Sequence, residues 1–147
     1  MKKKKRKKVR AKVKITYNTE KLMRALPKMI EDYIGSAGST SAEESRKSID
    51  EVRHGKQLSQ RTIKLRLEGQ HPSGKTIRTT DTTPLKWSKY LYNNIKGTKK
   101  GLEIPKYGYY HHIGEAWGFI KRPFITFKVG NKTRENFRNQ LSKNFRK

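Results

Sequence analysis

The chain contains no cysteine, so disulfide bonds and thiolate metal sites are excluded. Acidic residues are scarce, since 12 Asp and Glu stand against 37 Lys and Arg and give a formal net charge of +25 at pH 7. The acids are scattered without a conspicuous pair, which argues against metal-dependent nuclease chemistry. No apolar run approaches the roughly 20 residues that a membrane-spanning helix needs, so we expect no membrane partner.

Strong apolar residues are also few for a chain of 147 residues. Leu, Ile, Val and Phe make up about one fifth of the sequence, near the composition at which chains fail to fold unaided. Mutual repulsion of the positive charges opposes compaction as well. We therefore expect a component of an assembly, completed by neighbouring subunits or by a polyanion, in preference to a free monomer.

The chain begins with an uninterrupted run of cations at residues 2–8. Such a block repels itself until it meets phosphate groups, so residues 1–8 are predicted to be a disordered basic arm and residues 9–147 a single α+β domain. No apolar stretch follows the run as in a secretory signal. The arm is either a solubilising tail or, as we prefer, a contact for nucleic acid without base specificity. The predicted contact residues are Lys2, Lys3, Lys4, Lys5, Arg6, Lys7 and Lys8.

Periodicity predicts an α+β fold with a small antiparallel sheet, a long kinked helix and shorter helices packed on one side. Apolar and charged residues alternate over residues 9–17, as in a half-buried strand. A helical stripe follows, in which Pro27 predicts a kink near Met23. Residues 35–41 are small and polar, and they predict either a linker between two helices or close packing within one long helix. The apolar residues of the stripe are Leu22, Leu26, Met29, Ile30 and Tyr33.

The second half of the chain predicts shorter elements. Residues 58–68 fit either a strand or a helix capped by Ser59, and periodicity does not decide between them. The other predictions are a helix over residues 42–52, an exposed loop over 69–83, a helix over 84–95, a strand near Leu102 and Ile104, a strand over 124–129, and a last helix capped by residues 131–133.

A literal P-loop pattern, G-x-x-x-x-G-K-T, occurs at Gly69, Gly74, Lys75 and Thr76. A P-loop holds phosphates with backbone N–H groups at the start of a helix that follows an apolar strand. The residues after Thr76, IRTTDTTP, do not predict a helix. We therefore assign no nucleotide or other cofactor to this motif.

Residues 107–127 are rich in aromatic side chains and should supply much of the core. A helical turn over residues 109–113 is predicted to end at Gly114. His111 and His112 are adjacent, and on a helix they point about 100° apart, which is poor geometry for one metal ion. We expect neither a metal nor a catalytic residue, although composition leaves open a metal-free ribonuclease built from His, Arg, Lys and Tyr.

The step Arg122-Pro123-Phe124 has a structural interpretation. Proline fixes its own φ and biases Arg122 toward an extended backbone, so that Phe124 enters a strand pointing at the core. Together with Gly114, these residues form the predicted structural motif.

A series of short motifs follows in order from residue 58 to residue 124. Its residues are Leu58, Ser59, Thr62, Ile63, Arg66, Gly69, Pro84, Leu85, Leu91, Ile95, Tyr110, His111, His112, Ile113, Gly114, Arg122, Pro123 and Phe124. This order resembles that of the tail-completion or virion-morphogenesis (head-tail joining, neck) proteins of tailed bacteriophages. The chain departs from that pattern near residues 86–90, where Thr-Gly is usual, and at Ile120-Lys121, where Pro-Ala is common.

The resemblance implies a non-enzymatic structural virion protein, a subunit of a ring that is commonly hexameric at the junction of head and tail. Its partners would be copies of itself, head-closure or connector proteins, tail proteins, and packaged DNA through its basic residues. It would be made in the host cytoplasm and end in the neck of the virion. The alternative, favoured by charge alone, is a ribosomal-type or other RNA- or DNA-binding protein without sequence specificity.

Overall fold

The computed structural model describes residues 18–53, 55–114 and 120–146. The elements in them are α1 (Thr19–Asp50), α2 (Gln60–Glu68), α3 (Tyr90–Asn93), β1 (Lys96–Thr98), β2 (Gly101–Glu103), α4 (Lys106–Ile113) and α5 (Asn131–Phe145). The strands β1 and β2 form an antiparallel hairpin. The predicted α+β fold is confirmed, whereas the basic arm and the strand predicted over residues 9–17 lie outside the described residues. Within the described ranges, none of the helices combines the length and the apolar character needed to cross a membrane.

Helix α1 organises the fold and has 32 residues. It begins after Asn18, whose side chain accepts a hydrogen bond of 3.0 Å from the N–H of Lys21. It continues through Pro27 and through residues 35–41, so these small residues belong to one long helix and not to a linker. Gly38 among them has a packing role, because a side chain at that position would meet the backbone of Gly101.

The β1–β2 hairpin lies directly on the backbone of α1. A Cβ atom added to Gly38 would be 2.6 Å from the carbonyl carbon and oxygen of Gly101, and one added to Gly97 would be 2.2 Å from the amide nitrogen of Ser39. Helix α5 packs on a neighbouring part of α1, where the rings of Tyr33 and Phe137 have centroids 5.1 Å apart. The close approach of the hairpin backbone to the α1 backbone therefore depends on Gly38 and Gly97.

The buried apolar core is small. Phe124 is completely buried and belongs to a cluster that joins α1, α3 and the segment before α5. The buried apolar residues of the described part are Met29, Ala42, Ile49, Leu91, Ile95 and Phe124.

The structure resolves the ambiguity over residues 58–68 in favour of a helix. Ser59 caps α2 by accepting a hydrogen bond of 3.2 Å from the N–H of Thr62, and Gly69 ends it in the left-handed region at φ +81°. The end of α4 at Gly114, φ +75°, is confirmed, although that helix begins earlier than predicted, at Lys106.

The helix predicted over residues 84–95 is wrong for most of its length. Only Tyr90–Asn93 is helical, because Leu85 and Lys89 have φ values of +68° and +56°, which a right-handed helix excludes. The preceding segment is held instead by the loop over residues 69–83. The indole N–H of Trp87 donates to the carbonyl of Ile77 at 2.9 Å.

Two further predictions about the C-terminal region are wrong. Residues 124–129 run without helix or strand structure, since side chains and not a neighbouring strand take their backbone N–H groups. Residues 131–133 lie inside the first turn of α5, whose N-cap is Gly130 without a side-chain hydrogen bond. The hydroxyl of Thr133 lies 2.5 Å from that of Ser36 on α1 and binds there.

Candidate functional site

The segment around Phe124 is fixed by a pair of serines on α1, Ser41 and Ser45, which we call the serine pair. The hydroxyl of Ser45 accepts the N–H of Thr126 at 3.0 Å, and that of Ser41 accepts the N–H of Lys128 at 2.9 Å. Ser41 also donates to the carbonyl of Lys128 at 3.2 Å. Four helical residues rise about 6 Å and two extended residues about 6.7 Å, so the two spacings match.

His112 on α4 completes this attachment. Its ring Nδ1 accepts the N–H of Phe124 at 3.2 Å and that of Ile125 at 3.1 Å. Two accepted bonds at Nδ1 require the neutral tautomer with its proton on Nε2. Burial, together with the positive charge of Lys121, lowers the pKa of His112 and favours the same neutral form. His112 therefore fixes the backbone, which agrees with the structural interpretation of this motif.

A cavity of about 850 Å³ lies beside the start of this segment, at Ile120 and Arg122. Arg66 from α2 and Arg122 line it, with side chains that are only 3% and 8% exposed. Tyr90 and Ile120 also line it and are more than half exposed, so the cavity opens to solvent on their side. No Asp or Glu is among its described lining residues.

Arg66 is held in place from two directions. Its Nη1 donates to the backbone carbonyls of Asp81 at 2.6 Å and Thr83 at 2.9 Å. Its guanidinium carbon lies 5.5 Å from the centroid of the Trp87 ring, a cation–π distance. The Nε of Arg66 is buried and has no hydrogen-bond partner in the described part of the chain.

Arg122 reaches the cavity from the segment that the serine pair and His112 hold. Its backbone N–H donates to the carbonyl of His111 at 2.7 Å. The chain passes close to Gly114 here, since a Cβ on that glycine would lie 2.5 Å from the Cβ of Lys121. The Nε of Arg122, like that of Arg66, is buried without a hydrogen-bond partner in residues 18–53, 55–114 and 120–146.

The aromatic side chains of the lining fall into two groups of ring contacts, which we call the two walls. Trp87 makes an edge contact with His71 at a centroid distance of 5.0 Å on the first wall. On the second, the rings of Tyr90 and Tyr107 stack at 6.0 Å, and Tyr107 contacts His111 at 6.3 Å. Burial raises the pKa of Tyr107 to about 12, so its hydroxyl stays protonated near neutral pH.

The positive groups of the cavity repel one another. Burial lowers the pKa of Arg66, and the charge of Arg122 lowers it further, although Asp81 opposes this effect. Burial also lowers the pKa of Arg122. The pKa of His111 falls to about 4, because of burial and then the charge of Arg122. An anion placed here would relieve both the desolvation and the repulsion.

The P-loop pattern does not form a phosphate-binding loop. Gly69 ends α2, Gln70 and Thr76 form an isolated antiparallel bridge, and no helix starts at Thr76 in the described residues. The loop does bring Lys75 and His71 to the wall of the cavity. In the described ranges, no group of three or more His, Cys, Asp or Glu side chains could hold a metal ion.

Sequence reasoning placed Arg122 in a structural motif and missed its approach to Arg66. The two arginines are far apart in sequence, and they are not distinguishable by type in a chain with 37 Lys and Arg. Their only signal was membership in the same ordered series of motifs. The predicted contact residues 2–8 lie outside the described residues.

Comparison of the chain with models of protein families, with curated proteins and with solved protein structures found no match.

Proposed function

We propose that this protein is a structural subunit of a bacteriophage neck, a tail-completion protein that assembles into a ring near the DNA path. The observation that carries the proposal is apolar exposure on a chain with a small core. Met23, Ile30 and Ile34 of α1 are 66%, 43% and 37% exposed, and Phe127 is 82% exposed. Exposed apolar surface of this kind marks a site of association.

The exposed apolar residues of the first half of α1 lie on one side of the helix. Met23, Pro27, Ile30 and Ile34 are spaced by four, three and four residues, which is the spacing of a contact stripe between helices. A neighbouring copy packed along this stripe would add the apolar burial that one chain lacks. Such a contact would not depend on ion pairs with acidic residues, which are scarce in this chain, because the residues of the stripe carry no charge.

The order of the motifs supports a neck protein over other assemblies. Gly114 lies against Lys121, and Phe124 bonds to His112 and packs on α1, so residues of the predicted structural motif lie close together. The net charge of +25 suits a ring through which DNA passes, because cations near the path neutralise phosphate. We infer no catalytic residue.

Electron microscopy and light scattering of the purified protein test the proposal. We expect a closed ring without nucleic acid, and incorporation of the protein into phage particles. Ile30→Asp should convert the ring to monomers, whereas Lys28→Asp, an exposed change on the same helix, should leave it intact. A strict monomer that never enters particles would overturn the proposal.

A nucleic-acid-binding protein is the second candidate, favoured by the cationic cavity and the overall charge. It predicts a monomer that binds RNA or DNA tightly, with an affinity that falls steeply as salt concentration rises. The two candidates differ in the oligomeric state that each requires without nucleic acid.

A further inference from the structure

We propose that the cavity between Arg66 and Arg122 binds a nucleoside phosphate, with the phosphate on the two arginines and the base against the aromatic walls. The inference concerns a single chain and does not depend on assembly into a ring. It does not require a P-loop, which the structure does not form, and from that pattern it uses only Lys75, which lines the cavity.

The two buried arginines point to an anion. Each is at least nine-tenths buried, lines the cavity, and has an Nε without a hydrogen-bond partner in the described residues. A buried guanidinium with an unpaired N–H is costly, and an anion in the cavity beside it offsets that cost and accepts charge-assisted hydrogen bonds from the guanidinium group. The described lining offers no carboxylate of its own to fill this role.

The remaining lining points to a planar ring next to that anion. The cavity volume of about 850 Å³ exceeds what a phosphate or carboxylate alone needs and lies in the range of small-molecule sites. Trp87 on one wall and Tyr90 with Tyr107 on the other present ring faces and edges. Nucleobases stack on such side chains with little dependence on their identity.

Lys75 adds a positive charge to the cavity lining next to His71. Burial lowers the pKa of His71, and the positive charges of Arg66 and then Lys75 lower it further, so these groups share one electrostatic environment. A phosphate is preferred to a carboxylate here because it offers more acceptor oxygens and more negative charge to several converging cations.

Calorimetric titration with adenosine 5′-monophosphate tests the site, at physiological salt to suppress contact with surface lysines. We expect saturable binding with a Kd below about 1 mM. Adenosine, which lacks the phosphate, and ribose 5-phosphate, which lacks the base, should each bind at least about tenfold more weakly. Absence of saturable binding of the monophosphate would overturn the proposal.

Substitutions test whether the monophosphate binds in the cavity or elsewhere on the surface. Arg122→Gln should weaken it by about tenfold or more, whereas Arg61→Gln, an exposed change on α2 that removes the same charge, should change it less than twofold. Equal losses in the two variants would mean general electrostatic attraction and would contradict the site. Because Arg66 holds two backbone carbonyls, Arg66→Gln can disturb folding, so Lys75→Ala serves as the second variant.

A free nucleotide and the end of a nucleic acid strand both present a phosphate group beside a base, so both fit the proposed site. A thymidine octamer with a 5′-phosphate, which competes with the monophosphate and depends on Arg122, would identify a strand end as a ligand. An octamer that does not compete would assign the cavity to free nucleotides. Both results differ from failure of ring assembly, because they are measured on binding by the purified chain.

Discussion

The two sides of the segment that carries Arg122 and Phe124 differ in how their polar groups are satisfied. On the α1 side, the serine pair, Ser41 and Ser45, is buried and neutral, and both hydroxyls bind backbone atoms of residues 126 and 128. On the cavity side, Arg66 and Arg122 are buried and charged, and an Nε of each lacks a partner in the described residues. The saturated contacts of the first kind fix the chain, whereas the unpaired donors of the second leave positive charge for an anion to offset, as the nucleoside-phosphate proposal requires.

The largest loss of stability is expected where α1 meets the hairpin that packs beside the serine pair. Gly97→Ala places a Cβ 2.2 Å from the backbone nitrogen of Ser39, and neither backbone can move away cheaply. We expect the free energy of unfolding to fall by about 3 kcal/mol or more in urea denaturation.

Gly35→Ala is the matched control for this substitution. Its added Cβ would be 3.7 Å from its nearest neighbour, an ordinary contact, and alanine is the better helix former. The control should raise the free energy of unfolding by up to about 1 kcal/mol. Equal losses in both variants would show that the hairpin does not lie on the helix as described.

Removal of one hydroxyl of the serine pair should cause the next largest fall in the free energy of unfolding. Ser45→Ala leaves the part-buried N–H of Thr126 without its acceptor, and we expect the free energy of unfolding to fall by about 2 kcal/mol. Ser39→Ala is the control, because the hydroxyl of Ser39 is exposed and binds only the carbonyl of Gly35 on its own helix. It should change the free energy of unfolding by less than about 0.5 kcal/mol. If Ser45→Ala cost no more than this control, the serine pair would not hold the segment.

The two regions also differ in how far the sequence could predict them. The helix over residues 19–34, the end of α4 at Gly114 and the burial of Phe124 followed from periodicity, glycine and proline. A strand over residues 124–129 was predicted because its residues favour extended backbone. Sequence gives no direct sign that serines of a distant helix, instead of a strand, will accept its N–H groups.

The cavity was less predictable for a different reason. Its arginines and aromatic residues lie on α2, on α3 and the segment before it, on α4, and in the segment that follows residue 119. The helix predicted over residues 84–95 would have placed Trp87 and Tyr90 on one helical face. The left-handed residues Leu85 and Lys89 instead separate them onto the two walls, and long-range contacts of this kind have no local periodicity.

Removal of a cavity arginine is expected to leave the free energy of unfolding unchanged or to raise it. Arg122→Met keeps an apolar stem and removes a desolvated charge, so without phosphate the free energy of unfolding should stay within about 1 kcal/mol of the original or rise. Added phosphate should stabilise the original protein and not the variant. A loss as large as that of Ser45→Ala in phosphate-free buffer would mean that Arg122 is a satisfied structural residue, and the contrast between the two regions would fail.

The smallest change in the free energy of unfolding is expected for a substitution of His112, which lies close to both regions. Its pKa is lowered by folding, so the unfolded chain binds the proton more readily, and stability present above pH 6.5 is lost as the pH falls. Protonation at Nδ1 would also end both hydrogen bonds to the backbone. His112→Asn supplies an oxygen acceptor that does not titrate, so the free energy of unfolding at neutral pH should change by less than about 1 kcal/mol. Its decrease in acid should be shallower than in the original protein.

His111 and His71 keep part of the acid dependence in the His112→Asn variant. The pKa of His111 is lowered to about 4 and that of His71 is also lowered, so both destabilise the folded chain below pH 6.5 with the same sign. Urea denaturation across this pH range should therefore give a reduced slope, not a flat line. Because His111 lies beside Arg122, phosphate in the cavity should raise its pKa and flatten the remaining slope further. An unchanged slope in the variant would show that His112 does not accept these two hydrogen bonds in solution.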